Sequence, residues 1–430
     1  MFEIETIKDK IFSELERWRT NKKVVYHTGI LFLSQALVII LGFITKGIQT
    51  RALSPENYGL YAFFTTVTGF GVLFFNLGLY PTIETMLAGI NDKQKEKELF
   101  GTSFIITFFL GILFSAFLFA LSYIIDKIFH MEFGYILRLI SPMCIIFPFR
   151  LLIPALAIGS NKITHAAWYD VLFQLLFSVL LFFMFMYFDL TIKKTILLNL
   201  FSSVVAVSCI VYFFRPSFIN FYSNVKEIWI KNKEYGIHYY LGSIFSETTY
   251  RLDELFITYF INTTQLGFYS LANIICSPMV MFSSALSSAL FKRFASVNYV
   301  SKKIFFINAI WIIISSTVLY LFSGFIVKIF FGAGFETVTL YIIPLSLSYI
   351  FKTLCQPFAF LAAKGKGKEI RNVAFAEGIF SVITNIIFIP MWGVMGAIYS
   401  SILVRAVDFV GLYYYYRKYI AELRTAQSEI

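Results

Sequence analysis

Histidine occurs four times in this chain of 430 residues, and cysteine four times. Cys144, Cys209, Cys276 and Cys355 all stand in apolar stretches, and no close Cys/His spacing suggests a zinc site or a redox pair. They read as small packing residues. No GxxxxGK[ST] loop is present, so ATP hydrolysis through a phosphate-cradling loop is excluded. Gly365-Lys366-Gly367-Lys368 is only a basic turn. Charged residues are scarce, at 14%, against a hydrophobic fraction of 58% and a mean hydropathy of +0.74. No soluble domain needs that much apolar surface, so the chain reads as an all-α, polytopic membrane protein.

Apolar runs reach the roughly 20 residues that a bilayer needs at 28–50, 58–80, 101–125, 135–157, 165–188 and 192–214. They do so again at 235–261, 265–290, 304–327, 339–363, 370–390 and 394–416. That is twelve spans, six in each half. Segment 1–27 is basic and carries Ile4, Ile7, Ile11, Leu15 and Trp18 at helical spacing. It reads either as an amphipathic helix on the cytoplasmic membrane surface or as a plain tail. Residues 28–214 then form one lobe, 215–234 a cytoplasmic linker, 235–418 a second lobe and 419–430 a cytoplasmic tail.

Loop charge supports this count. One set of alternate loops, with both termini, holds 25 lysines and arginines; the other set holds 5, namely Arg51, Lys127, Lys193, Lys194 and Lys328. The excess marks the cytoplasmic side. It also accounts for the net charge of +11 by attraction to anionic lipid, without calling on nucleic acid. All the loops on the charge-poor side are short, which excludes a folded domain there.

One span breaks the apolar rule. Residues 235–261 carry Glu247, Arg251, Asp253 and Glu254. A charge at mid-membrane costs roughly 3 kcal/mol on insertion scales, so such groups face a protein interior or a wet cavity. Glu247, Arg251 and Glu254 fall at i, i+4 and i+7 on one helical face; Asp253 points elsewhere. The set is either a polar site at membrane depth or a self-neutralising ladder that fixes helix packing.

A short internal repeat links the halves. Gly59-Leu60-Tyr61-Ala62 aligns with Gly267-Phe268-Tyr269-Ser270, each just after the first span of its half. Parallel repeats of this kind place a substrate path between two lobes.

The same residues carry a family resemblance. Leu53-Ser54-Pro55-Glu56-Asn57-Tyr58-Gly59-Leu60-Tyr61 is similar to the L-x-P-E-x-Y-G-x-Y motif of polysaccharide biosynthesis flippases, and Asn76-Leu77-Gly78-Leu79 to their D-x-G-L, with Asn for Asp. Arg251-Leu252-Asp253 with Gly267-Phe268-Tyr269-Ser270-Leu271-Ala272 resembles their R-x-D and G-x-Y-x-x-A pair; Phe330-Phe331-Gly332 fits their outer F-G. Together these resemble the Wzx-type O-antigen and oligosaccharide flippases of the MOP superfamily, which also holds MATE exporters and lipid II flippases. The family's proline near the inner end of helix eight is absent: Ala289-Leu290-Phe291 stands there, and Pro278 is the proline of that span.

The resemblance implies two six-helix lobes around a central cavity and transport by alternating access across the bacterial inner membrane. The implied cargo is an undecaprenyl-pyrophosphate-linked oligosaccharide, an O-antigen or capsule repeat unit. Glycosyltransferases and a polysaccharide polymerase of the same pathway are the implied partners. An arginine suits the pyrophosphate because its planar fork binds phosphate oxygens in pairs and stays charged when buried. Arg251, Lys46, Arg405, Lys352 and Arg150 are the candidates to hold it. Asp408 lies one turn from Arg405 as an alternative partner, and Lys352 and Arg150 can instead snorkel or bond freed carbonyls. Arg51 and Arg138, near an interface, read as anchors. Asp253, Glu254, Glu247, Asp408 and Glu377 are the candidates to bind H⁺ or Na⁺ and couple the cycle to a gradient, or else to neutralise the cations. No other cofactor and no catalytic residue is expected. Tyr239, Tyr240 and Tyr250 are placed to stack on sugar rings. A cation-coupled exporter of amphipathic drugs is the competing reading. A membrane glycosyltransferase or polymerase is disfavoured by the short loops.

Overall fold

The computed structural model describes residues 22–332 and 334–428, without the side chains of 22–32, 163, 238, 241–243, 245–250, 289, 292, 295 and 426–428. The amphipathic segment expected at 1–27 therefore lies outside the described residues up to 21, and its last residues open the first helix. Every described element is helical. The first half comprises α1 (Lys22–Ala52), α2 (Pro55–Phe74), α3 (Leu79–Ala88), α4 (Lys93–Leu121), α5 (Ile125–Phe129), α6 (Gly134–Ile140), α7 (Phe149–Gly159), α8 (Ile163–Tyr187) and α9 (Ile192–Phe214). A linker helix, α10 (Phe221–Lys231), leads to the second half. This holds α11 (Ile237–Phe260), α12 (Thr263–Cys276), α13 (Pro278–Ser296), α14 (Lys302–Phe331), α15 (Thr337–Cys355), α16 (Ala359–Ala363), α17 (Gly367–Trp392) and α18 (Val394–Ser428).

Nine of the described helical segments are long and apolar enough to cross a membrane, and two bent pairs bring the number to 11. The remaining span is α11, whose 24 residues are long enough and whose four charges set it apart. The bent pairs sit at matching places in the halves. Between α2 and α3 the chain turns by 64°, where Leu77 and Gly78 take φ of 51° and 75°. The expected straight span 58–80 is thus a broken one. Between α12 and α13 it turns by 46°, at the Ser277–Pro278 step, where proline lacks the N–H that would continue the ladder. The tail expected from 419 is no separate segment, because α18 continues to Ser428.

The repeated motif has a structural reason. Ser54 caps α2, accepting from the Asn57 N–H (3.3 Å); Asn262 caps α12, accepting from the Gln265 N–H (2.9 Å). Such caps satisfy first-turn donors. Five residues past each cap stands a glycine, and the two glycines meet across the seam between the halves. A Cβ on Gly59 would lie 2.1 Å from the Thr263 carbonyl oxygen, and one on Gly267 only 3.1 Å from Gly59 Cα. A side chain at either place would hold the two backbones apart. Buried Tyr58, Tyr61, Phe64, Leu266, Tyr269 and Ile275 then make one core that runs through both halves.

Helices α1 and α14 close the seam further along the charge-poor end: Phe43 meets Phe330 (5.9 Å between rings), and Arg51 Nη2 donates to the Ile329 carbonyl (2.5 Å). Away from the seam the surface is carbon. Ile313, at 64% exposed, Tyr320, Leu321 and Phe325 cover the outside of α14, as a lipid-facing helix requires.

The linker belongs physically to the first half. Lys95 of α4 pairs with Glu227 (2.7 Å) and donates to Asn224 Oδ1 (2.8 Å). Asn232 donates to the Leu77 carbonyl (3.1 Å) and accepts from Thr82 (3.0 Å). A single wide turn, Asn232–Gly236, passes into α11. The charged helix is therefore held at its start by the first half, while its remainder packs on α17 and α2.

Candidate functional site

The site is built on α11 where it faces α2, α12, α17 and α18. Asp253 is 9% exposed. Its carboxylate accepts from the Tyr269 hydroxyl, from Ser401 Oγ (3.3 Å) and from the Glu254 N–H (3.2 Å). Glu254 reaches across the seam and accepts from Thr66 of α2 (2.5 Å). Arg251 also faces α2: a Cβ on Gly69 would lie 2.7 Å from its Nη1, so glycine leaves the space that the guanidinium fills. The Glu247 and Tyr250 side chains lie outside the described atoms.

A cavity of about 510 Å³ opens beside these groups. Arg251, Asp253, Glu254, Lys352 and Arg405 line it, together with Tyr269, Asn273, Tyr349, Ser381, Asn385, Ser400 and Ser401. The lining comes from the second half, with α2 packed against Arg251 and Glu254. Polar groups inside it are mutually bonded: Thr384 with Ser400 (2.6 Å), Asn385 Nδ2 to Ser381 Oγ (3.2 Å), and the Tyr349 hydroxyl to Asn273 Oδ1 (3.1 Å). Among the described residues Asn385 Oδ1 is buried without a partner. Behind the wall Arg405 pairs with Glu377 at 2.7 Å, the two side chains only 13% and 4% exposed. Glu377 thus supplies the ion pair, with Asp408 an electrostatic neighbour of Arg405. Lys352 lies over the Tyr349 ring at 5.7 Å.

The other two candidates sit in the first half. Lys46 Nζ lies over the rings of Tyr58 (5.4 Å) and Tyr61 (5.0 Å), within the electrostatic reach of Glu254. Arg150 is sandwiched between Phe147 (4.7 Å) and Phe173 (4.5 Å). It donates to Asn199 Oδ1 (2.9 Å) and Ser203 Oγ (2.5 Å). Asn199 in turn donates to the Tyr61 hydroxyl (3.1 Å). A polar path therefore runs from Arg150 through Asn199 and Tyr61 to Lys46 and the seam. Among the described residues neither Lys46 nor Arg150 has a carboxylate within ion-pair distance. The fully buried amide of Gln49, one turn from Lys46, has no partner at hydrogen-bond distance among the described residues, with Tyr61 its polar neighbour.

Sequence reasoning passed over Tyr269, Ser401, Thr66, Asn273, Asn385 and Asn199. A signal existed for some of them: Ser381, Thr384 and Asn385 make a polar stripe at i, i+3 and i+4 in an apolar run, and Asn199 and Ser203 stand one turn apart. Tyr240 donates its hydroxyl to the Phe74 carbonyl (2.8 Å) and ties α11 to α2. Of the tyrosines at the end of the last span, Tyr413 and Tyr414 are exposed, whereas Tyr416 packs on Phe360 and accepts from the Val300 N–H (3.2 Å). No cluster of three His, Cys, Asp or Glu side chains arises among the described residues.

Among the described residues, nine apolar helical spans and two bent pairs thus form two halves that break in register and meet at paired glycines, with charge held at the seam. Residues 24–298 match the family model described as polysaccharide biosynthesis protein, and the chain belongs to that family. No curated protein matches it significantly. Among solved structures, the lipid II flippase MurJ in an inward closed conformation superposes with a TM-score of 0.71 at 15% identity, over 91% of this chain and 89% of that one. An inward-facing multidrug resistance MATE family transporter of the MOP superfamily gives 0.68 at 15%, over 90% and 96%. A MOP superfamily transporter from Pyrococcus furiosus, described as having a binding pocket of reversed polarity, gives 0.61 at 14%, over 93% and 96%. At these identities the likeness concerns the fold.

Proposed function

We propose that the protein is a flippase that carries an undecaprenyl-pyrophosphate-linked oligosaccharide across the bacterial inner membrane by alternating access, coupled to an ion gradient. The observation that carries this reading is the pair Lys46 and Arg150. Each is a half-buried cation with no carboxylate within ion-pair distance among the described residues, held on aromatic rings or neutral side chains, with Glu254 and Asp170 as longer-range neighbours. Drawing a charge out of water without a close counter-ion is expensive, so an anionic cargo is the natural complement. Arg251, at the seam, serves the same pyrophosphate, and Lys352 and Arg405 extend the cationic wall into the second half. Asp253, with two hydroxyls on its carboxylate, is the coupling residue. Glu254 transmits its state to α2 through Thr66. Glu377 and Asp408 neutralise Arg405, and Glu247 is a further coupling candidate on the same helix. The basic loops support a cytoplasmic placement of both termini. No chemistry is asked of the protein beyond binding and rocking, so it is a transporter and not an enzyme.

The carboxylates lining the second-half cavity favour the rival reading, a cation-coupled exporter of amphipathic drugs. Proteoliposomes distinguish the two. With lipid-linked oligosaccharide in the donor leaflet, an impermeant glycosidase on the far side is expected to cleave sugar in a protein-dependent way. A cationic dye is expected to leak no faster than from empty vesicles. Dye export without sugar exposure would replace the flippase by the exporter.

A further inference from the structure

Two sequence motifs that cargo binding does not use meet across the halves. One is the Ser54-Pro55 turn that joins α1 to α2; the other is Phe330-Phe331-Gly332 at the end of α14. Gly332 stops α14 with φ 77° and ψ −170°, a backbone that only glycine adopts readily. Gly334, at φ 90°, lies against the other turn: a Cβ there would be 3.5 Å from Pro55 Cγ. Glu336 holds this second turn by accepting from the Gly334 N–H (2.9 Å). Phe335, 1% exposed, stands edge-on to Tyr58 of the first half (5.8 Å between rings) and to Phe268 of the second (5.9 Å).

Arg51 crosses the same seam. The sequence reads it as an interfacial anchor, yet its Nη2 donates to the Ile329 carbonyl of the other half (2.5 Å). That oxygen belongs to the last turn of α14, where helix carbonyls lack intrahelical donors and the dipole end is negative. The bond is exposed, so water can replace it. Beside it the halves touch through backbone: a Cβ on Gly47 would lie 2.9 Å from the Phe330 carbonyl oxygen. Past Phe330, α1 and α14 part around a cavity of about 380 Å³ whose wall includes Phe43, Trp311 and Val318. An exchangeable bond, a glycine face and a void behind them let the two helices separate with little unpacking. We infer that the turn around Gly332 and Gly334 is a closure of the transport path at the charge-poor end, with Arg51 its latch and Phe335 its plug. This rests on alternating access between the two halves, and is indifferent to the cargo.

The test is the distance between spin labels at Glu56 and Leu340, exposed positions at the charge-poor end of the two halves. It uses the full-length protein in lipid nanodiscs with its four native cysteines replaced. The wild type is expected to show a dominant short distance and a minor longer one. Arg51→Ala removes a charge-assisted hydrogen bond, worth roughly tenfold in an equilibrium, so the longer population should rise about tenfold relative to the short one. Arg51→Lys keeps the charge and loses the planar fork, and should fall between. Phe335→Leu thins the plug and should also favour the longer distance, which gives a second reading should Arg51→Ala fail to fold. A control pair at Leu340 and Met391, both exposed in the second half, should keep its distance in every variant. A wild type with both distances and variants that leave their ratio unchanged would overturn the latch while alternating access stands. A single distance throughout would strike both, and equal broadening of the control pair would replace the latch by plain loss of structure.

Discussion

Arg251→Ala is expected to abolish transport while leaving the protein inserted and folded. Arg251 stands where the wall of the second-half cavity touches α2, in the space left by Gly69. From there its fork can bind a phosphate that Lys46 approaches from the other half. Truncating one partner of a buried, hydrogen-bonded charge pair costs about 2–5 kcal/mol, which is roughly thirtyfold or more in affinity. A cargo held by both halves loses more than affinity, because the state that closes around it is no longer favoured. Flux in proteoliposomes should fall to that of empty vesicles, with the melting temperature within a few degrees of the wild type. Arg251→Lys should be intermediate, since it keeps the charge and loses the bidentate geometry. Wild-type flux in the alanine variant would remove Arg251 from the binding site.

Asp253→Asn is expected to uncouple transport from the gradient without stopping it. The amide keeps an oxygen for Tyr269 and Ser401 and loses the charge that binds a cation. A membrane potential of 100 mV is worth about 2.3 kcal/mol per charge moved, or roughly fortyfold in accumulation. The wild type should accumulate cargo against its gradient when an H⁺ or Na⁺ gradient is imposed. The variant should equilibrate cargo and go no further, at every pH and Na⁺ concentration. Accumulation equal to the wild type would remove Asp253 from the coupling site and shift attention to Glu254.

The spans were legible because an apolar run of bilayer length has few other physical explanations. The breaks were less so. Asn76-Leu77-Gly78 lies inside a run that looked continuous, yet Leu77 and Gly78 both take positive φ there, and of the two only the glycine hints at a turn in the sequence. At Pro278 the residue announced a kink and not its angle. The linker looked like a plain tether. In the structure Asn224 and Ile228 bury themselves against the first half, a contact that periodicity cannot assign to a particular neighbour.

At the site, charges on α11 were conspicuous because hydrocarbon does not tolerate them. Their partners were not, since Tyr269 arrives from the next helix and Thr66 and Ser401 from helices distant in sequence. Asp253, which looked isolated on its own helix, is satisfied by two of them. The expected single chamber also resolves into two parts that pairing rules cannot separate. The carboxylates gather in a cavity lined from the second half, and the two cations with no carboxylate within ion-pair distance among the described residues, Lys46 and Arg150, stand in the first.

The account depends on the α11 charges facing water inside the protein and not acyl chains outside it. Single cysteines at Asn273 and Lys352, in the cavity wall, and at Ile313 and Leu321, on the outside of α14, test this in proteoliposomes when the four native cysteines are replaced. An impermeant, charged thiol reagent is expected to modify the first two and to spare the second two. Modification of the α14 positions with the cavity positions inert would contradict it.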